Sequence, residues 1–329
     1  MIDQPGAADA DTTISASAAD TGAPADAAGL YGPSSMAWRL NREATLLLGA
    51  GPRALLMQLA HPLIAEGVAQ HSDFRSDPWR RLRATLRSYL AIVYGTTTTA
   101  RAEIRRLNEL HRGVTGPVLD PAARTHSGAG RYDARDPILA LWVHATLIDA
   151  TLVAHDAWIR PVTRRERARF YVETRPIGRA FGIPDAVLPA DLDAFDAYLE
   201  AQTSATGPIR VTPTARELAA AVLNPPLGPL HAALARVPAP VYAWTLWPAV
   251  GLLPAAIRAD YGLRWGPRER AVSAWMSTGF RAWRPILPLG FRTMPQALAA
   301  DARVATTTAI AAPADRPGIT AEAAATLPG

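Results

Sequence analysis

Nowhere in this chain do apolar and polar positions alternate for long with a period of two, and no Asn-Gly or Asp-Gly turn joins β-branched runs. A sheet of any size is therefore not expected. What recurs instead is the chemistry of helix starts. Asp77-Pro78 and Asp136-Pro137 each offer a capping carboxylate followed by proline at the first helical position, and Gly266-Pro267 is a weaker version of the same signal. Thr163 to Glu166 and Thr214 to Glu217 have the spacing of capping boxes, in which hydroxyl and carboxylate satisfy two orphan N–H groups reciprocally. The pattern predicts helices near 34–48, 53–72, 78–94, 100–115, 137–158, 164–181, 191–204, 214–223, 241–260, 267–283 and 294–304.

One of these differs from the rest. From Ile138 to Trp158 the chain is apolar nearly all round, interrupted only by His144, Thr146, Asp149, Thr151, His155 and Asp156. Such a helix has to be surrounded by others, and the interruptions are too many for a membrane span, so it is read as the central core helix. Gly49-Ala-Gly51-Pro-Arg-Ala54 matches a dinucleotide fingerprint in letters alone. No strand precedes it, and a turn between two helices is expected there. The expectation is thus one large all-α domain over 30–310, between an acidic disordered tail at 1–29 and a second disordered tail at 311–329.

Composition removes several functions. The 329 residues, 49% of them hydrophobic, are enough for a sizeable core, and the absence of cysteine rules out disulfides, thiolate metal sites and iron–sulfur clusters. All 34 basic residues are arginine, a bias of composition more than a surface built for phosphate, and those in 75–87 and 160–169 are read as solvated helix faces. No nucleic-acid partner is expected. Met1 to Gly6 lacks the basic and apolar regions of a secretory signal, so a cytoplasmic protein is expected. The stretch 241–257, with Tyr242, Trp244 and Trp247, is read as a kinked core helix in preference to a membrane-surface contact. Hydrolase and P-loop signatures are missing, as is the Glu-x-x-His pair of di-iron bundles.

The candidate chemistry lies in histidines set in apolar segments: His61, His71, His111 and His144. A buried imidazole needs partners for two ring nitrogens, and a satisfied core or cap histidine is the ordinary outcome. His61 precedes Pro62, which suits a kink or cap. His126, His155 and His231 receive no chemical role. Around His111, Leu107, Leu110 and Val114 share its helix face while Gly113 and Gly116 remove bulk. That arrangement suits either a wide, flat cofactor or the close approach of another helix. Arg81 and Thr85, four apart, share one side of their helix.

The ordered series Ala60-His61-Pro62, His71-Ser72, Arg81 with Thr85, Tyr94-Gly95, His111 with Val114 and Gly116, Tyr132 with Asp136-Pro137, Trp142-Val143-His144-Ala145-Thr146, and Leu253-Pro254 with Arg258 resembles the bacterial oxygenase family that includes the catalytic domains of MpaB and latex-clearing protein (rubber oxygenase). The resemblance spans about 31–290. It implies a globin-like fold with a haem pocket, one haem b, and dioxygen or peroxide activation directed at an apolar organic substrate, with cleavage of isoprenoid double bonds in the best-known members. It further implies that His111 is the iron ligand, that Arg81, Thr85 and His144 line the cofactor pocket, and that Glu66, His61 or His71 manages protons. A haem-binding or haem-sensing protein without turnover is the alternative it leaves.

Overall fold

The computed structural model describes residues 26–72, 78–223 and 249–311, and the side chains of Pro78, Trp79 and Leu82 are not among those described. Asp77, His231 and most of both tails lie outside the described residues, as does 241–248 of the stretch weighed for membrane contact. The order is α1 (Met36–Asn41), α2 (Leu46–Leu59), α3 (Pro62–His71), α4 (Pro78–Tyr94), α5 (Thr97–Arg112), β1 (Thr115–Pro117), α6 (Pro121–Ser127), β2 (Arg131–Asp133) and α7 (Pro137–Trp158). There follow α8 (Arg164–Ala180), α9 (Leu192–Thr203), α10 (Pro213–Leu223), α11 (Ala255–Asp260), α12 (Pro267–Trp283), α13 (Leu289–Arg292) and α14 (Pro295–Ala311). The fold is all-α, and β1 and β2 form only a short antiparallel pair, with Gly116 opposite Tyr132.

Helix α7 is the central element. Asp136 caps it, accepting from the Ile138 N–H at 2.8 Å, and Pro137 supplies the fixed φ of its first turn. Its buried residues, from Leu139 to Trp158, lie on every face. By length and apolarity α7 could cross a membrane, but here it is packed on by other helices. Helix α2 runs antiparallel to it along a continuous seam. Gly49 meets Trp158, Arg53 pairs with Asp149, Gln58 donates to Thr146 Oγ1 at 3.1 Å, and the Trp142 indole donates to the Met57 carbonyl at 3.0 Å.

Two cores flank α7. One gathers Trp38, Tyr94, Ile104, Ile148, Phe170 and Tyr171 from α1, α4, α5, α7 and α8. The other gathers Leu56, Met57, Trp142, Leu218 and Ile257 from α2, α7, α10 and α11. Burial on this scale, roughly 1.5–3 kcal/mol for each large side chain taken out of water, is what makes α7's apolar circumference stable.

Several expectations shift. The helix expected over 34–48 is interrupted because the Arg42 carbonyl accepts from Met294 N–H and Ala44 N–H donates to the Arg292 carbonyl, a distant pairing that the local pattern does not carry. Gly49 and Gly51 lie inside α2 and form no helix–helix turn. A Cβ on Gly49 would overlap the Trp158 ring, so the glycine serves packing. The single helix expected over 53–72 divides at His61, whose Nδ1 accepts from Leu63 N–H at 3.2 Å and caps α3. Of the two expected capping boxes, Thr163 and Glu166 form one, whereas Thr212, not Thr214, caps the amide of Ala215. Residues 26–29, expected in the tail, belong to the body: Ala28 is fully buried and Asp26 accepts from the Thr98 N–H and hydroxyl, each at 2.8 Å.

Candidate functional site

Helices α4 and α5 form an antiparallel pair with the candidate residues on it. On α4, the Arg81 guanidinium donates to Thr85 Oγ1 at 2.9 Å, and the Thr85 hydroxyl donates to the Arg81 carbonyl at 3.0 Å. Both side chains are exposed. Thr85 thus orients Arg81, and its own proton is occupied in this arrangement. His111 sits in the last turn of α5, half-buried. Burial, and then the nearby Arg81 charge, hold its pKa below the ordinary histidine value, so its imidazole is neutral at pH 7. The structure therefore pairs Arg81 with Thr85 and places His111 within electrostatic reach of Arg81.

The surroundings of His111 differ in detail from the sequence expectation. Leu107 packs into the first core, but Leu110 is 51% exposed, and Val114 lies beyond the helix end, facing α3 near Gly67. Gly113 ends the helix in open surroundings. Gly116 is small because of Tyr132: a Cβ there would stand 2.6 Å from the Tyr132 hydroxyl. The Tyr132 hydroxyl donates to Gln70 Oε1 at 3.0 Å, and Gln70 in turn donates to Glu66 at 2.8 Å and to the Pro117 carbonyl at 3.0 Å.

Glu66 is the centre of that network. It is almost fully buried, and its carboxylate also accepts from the backbone N–H groups of Leu119 at 2.8 Å and Asp120 at 3.3 Å. These charge-assisted bonds fix the segment leading into α6. His71 sits one turn further along α3, exposed, with Nε2 donating to the Thr115 carbonyl at 3.3 Å and its ring edge-on to Tyr132. His61 is at the opposite end of α3, roughly 15 Å away by helical rise, and is not part of this group.

His144 projects from α7 towards α8, so close to Gly178 that a Cβ there would lie 3.3 Å from its ring. Asn108 of α5 donates to the Ala180 carbonyl at 2.8 Å, which ties α5 to the end of α8. The Nε2 of His144 is buried and has no partner among the described residues, an uncommon state for an interior polar atom. Burial pushes its pKa down to about 4, and burial does the same to His61. Arg258 has a supporting role. It donates to the carbonyls of Val250, Gly251 and Leu253 and lies 4.6 Å over the Trp265 ring.

Sequence reasoning missed Gln70, Asn108 and the Arg53–Asp149 pair. Only the last left a signal, as two charges in otherwise apolar helices. Among the described residues no three His, Asp or Glu side chains converge to hold a metal ion. A prosthetic group that brings most of its own ligands asks less of the chain, and one neutral imidazole with a cation beside it fits that need.

The two histidines whose pKa burial pushes down to about 4 predict acid sensitivity. Unfolded, each takes a proton near pH 6.5; folded, each resists until about pH 4. Protons therefore favour the unfolded chain as pH falls through that window, and stability present at pH 7 is lost. Each histidine is expected to cost about 2 kcal/mol at pH 5. Urea midpoints at pH 7 and pH 5, for wild type and the His61→Gln/His144→Gln variant, measure it: the variant's midpoint should move less.

The all-α body thus carries a neutral imidazole within reach of a guanidinium and, on α7, a buried ring nitrogen unpartnered among the described residues. Residues 38–287 match the family described as the ER-bound oxygenase mpaB/B'/rubber oxygenase catalytic domain, and the chain belongs to that family. Similar proteins include the uncharacterized proteins Rv2237 of Mycobacterium tuberculosis and Mb2261 of Mycobacterium bovis. Each is 26% identical over 243 residues, covering 71% of this chain and 87% of the relative. No solved structure matches the chain.

Proposed function

We propose that this chain is a haem b-dependent oxygenase that uses dioxygen, or peroxide, to oxidise an apolar organic substrate of isoprenoid type. Membership of an oxygenase catalytic-domain family supports the reaction class. The observation that carries the cofactor assignment is His111, held neutral beside Arg81 at the end of α5. His111 would hold the iron through its deprotonated ring nitrogen, and Arg81 would pair with a propionate or polarise the oxidant as a permanent cation. Haem b, when bound, supplies the activation of dioxygen. The unpartnered Nε2 of His144 is a further buried polar atom that a bound group would satisfy.

Three residues were candidates for moving protons. His61 serves as the cap of α3, and Glu66 holds two backbone N–H groups and Gln70. His71 is best placed, because donation from Nε2 to Thr115 leaves the lone pair on Nδ1, where a proton can be held.

The test is the ultraviolet–visible spectrum of the purified protein before and after haem is supplied, followed by incubation with an apolar olefin under air. A Soret band and oxidised product are expected. Stable oxygen binding without product would indicate a haem-binding or sensing protein, and no Soret band after haem addition would overturn the cofactor assignment.

A further inference from the structure

Helix α12 is unlike every other long helix of the fold. None of its 17 residues is buried. It is held to the body by the Phe280 ring against Trp158, by Arg281 donating to the Asp156 carbonyl, and by the fork of Arg284 on the buried Glu43 at 3.0 and 2.5 Å. Along its other side Arg268, Ala271, Trp275, Thr278 and Ala282 recur at intervals of three and four, and all are exposed. The apolar exposure runs from α12 through α13: Trp275 is 76% exposed, Trp283 65%, Ile286 72% and Phe291 76%. Single exposed apolar residues need no explanation, but large aromatic ones grouped on one helix and the turn after it do.

Charge shows what this face meets. Residues 264–292 contain six arginines and one acid, Glu269, a surplus of five that equals the formal net charge of the whole chain. Glu43 neutralises Arg284, while Arg264, Arg268 and Arg270 are exposed. A second copy of the chain docked through this face would bring two cationic surfaces together. Arg268 shares the exposed stripe with Trp275, Arg264 stands just before the helix, and indole rings with a cationic surplus match an anionic bilayer, where the rings settle at the headgroup level and the cations meet phosphate and carboxylate.

We propose that α12 and α13 form a docking surface for an anionic lipid membrane. The surface is independent of the haem site, and its test does not depend on cofactor or activity.

The experiment is flotation of the full chain with phosphatidylcholine vesicles, with and without phosphatidylserine, at low and high salt. The chain should float with the serine-containing vesicles, with its tryptophan emission shifted to the blue, and salt should release it. Arg268→Gln should weaken binding about fivefold, and Arg270→Gln, on the opposite side of α12 with its guanidinium on the Trp265 carbonyl, should weaken it less. Trp275→Ser/Trp283→Ser should weaken it about tenfold or more. Circular dichroism verifies that the variants fold, and the arginine variants test the surface independently of the tryptophans. Three results would overturn the proposal: no flotation with anionic vesicles, flotation unchanged in all variants, or a dimer in solution that the tryptophan variant dissociates while vesicles go unbound.

Discussion

The His111→Ala protein is expected to lose its Soret band or retain only a weak, shifted one, with haem affinity down at least about a hundredfold and olefin oxidation abolished. On the proposed assignment, removing the imidazole would take away the protein's bond to iron, and no other candidate imidazole stands in its place. His71 is turned to Thr115 and the Tyr132 ring, His61 caps α3, and His144 faces Gly178 on α8. Arg81→Gln is expected to be milder, keeping the axial bond and the shape of the band while releasing haem faster, because a cation beside a propionate adds affinity without setting ligation. Titration of haem into the three proteins, read at the Soret maximum, separates these outcomes. A His111→Ala protein with an unchanged band would sink the assignment.

Replacing Arg53 with methionine should lower the free energy of unfolding by about 3–5 kcal/mol. The Arg53 side chain is 4% exposed and pairs with Asp149, itself 17% exposed, while its Nε donates to the Leu252 carbonyl at 2.8 Å. Loss of the guanidinium leaves a carboxylate within the seam between α2 and α7 and a carbonyl without its donor, and both were desolvated in folding. Arg53→Met/Asp149→Leu should recover most of the loss, since the uncompensated charge is then gone. Urea denaturation of the two variants against wild type measures this. A double variant as unstable as the single one would mean that packing, not charge, sets the cost.

The sequence made the helices legible wherever a local signal bounded them. Asp136-Pro137 and Gly266-Pro267 open α7 and α12 at the expected residues, and both helices end where expected, at Trp158 and Trp283. The break between α1 and α2 was hidden because it comes from backbone pairing with residues 292–294, far along the chain. Gly49 was misleading for a similar reason: its partner, Trp158, is distant in sequence, and two glycines near a proline resemble a turn. At the site, the pairing of Arg81 with Thr85 follows from helical spacing. The anchoring of Glu66 could not be read, because its partners arrive from residues 117–120 after the chain has reversed through β1. The unpartnered nitrogen of His144 depends on how tightly α8 presses at Gly178, which no spacing reveals.

The seam between α2 and α7 also sets an order of events during synthesis. Helix α2 ends at Leu59 and its partner begins at Pro137, about eighty residues later. At usual ribosomal speeds the apolar side of α2 is therefore made about 4–16 s before the surface that covers it. Over that interval Leu56, Met57 and Leu59, all wholly buried in the finished protein, face water or a chaperone. Slow translation or crowded ribosomes should accordingly reduce the yield of this protein through aggregation of nascent chains, even where the completed fold is stable.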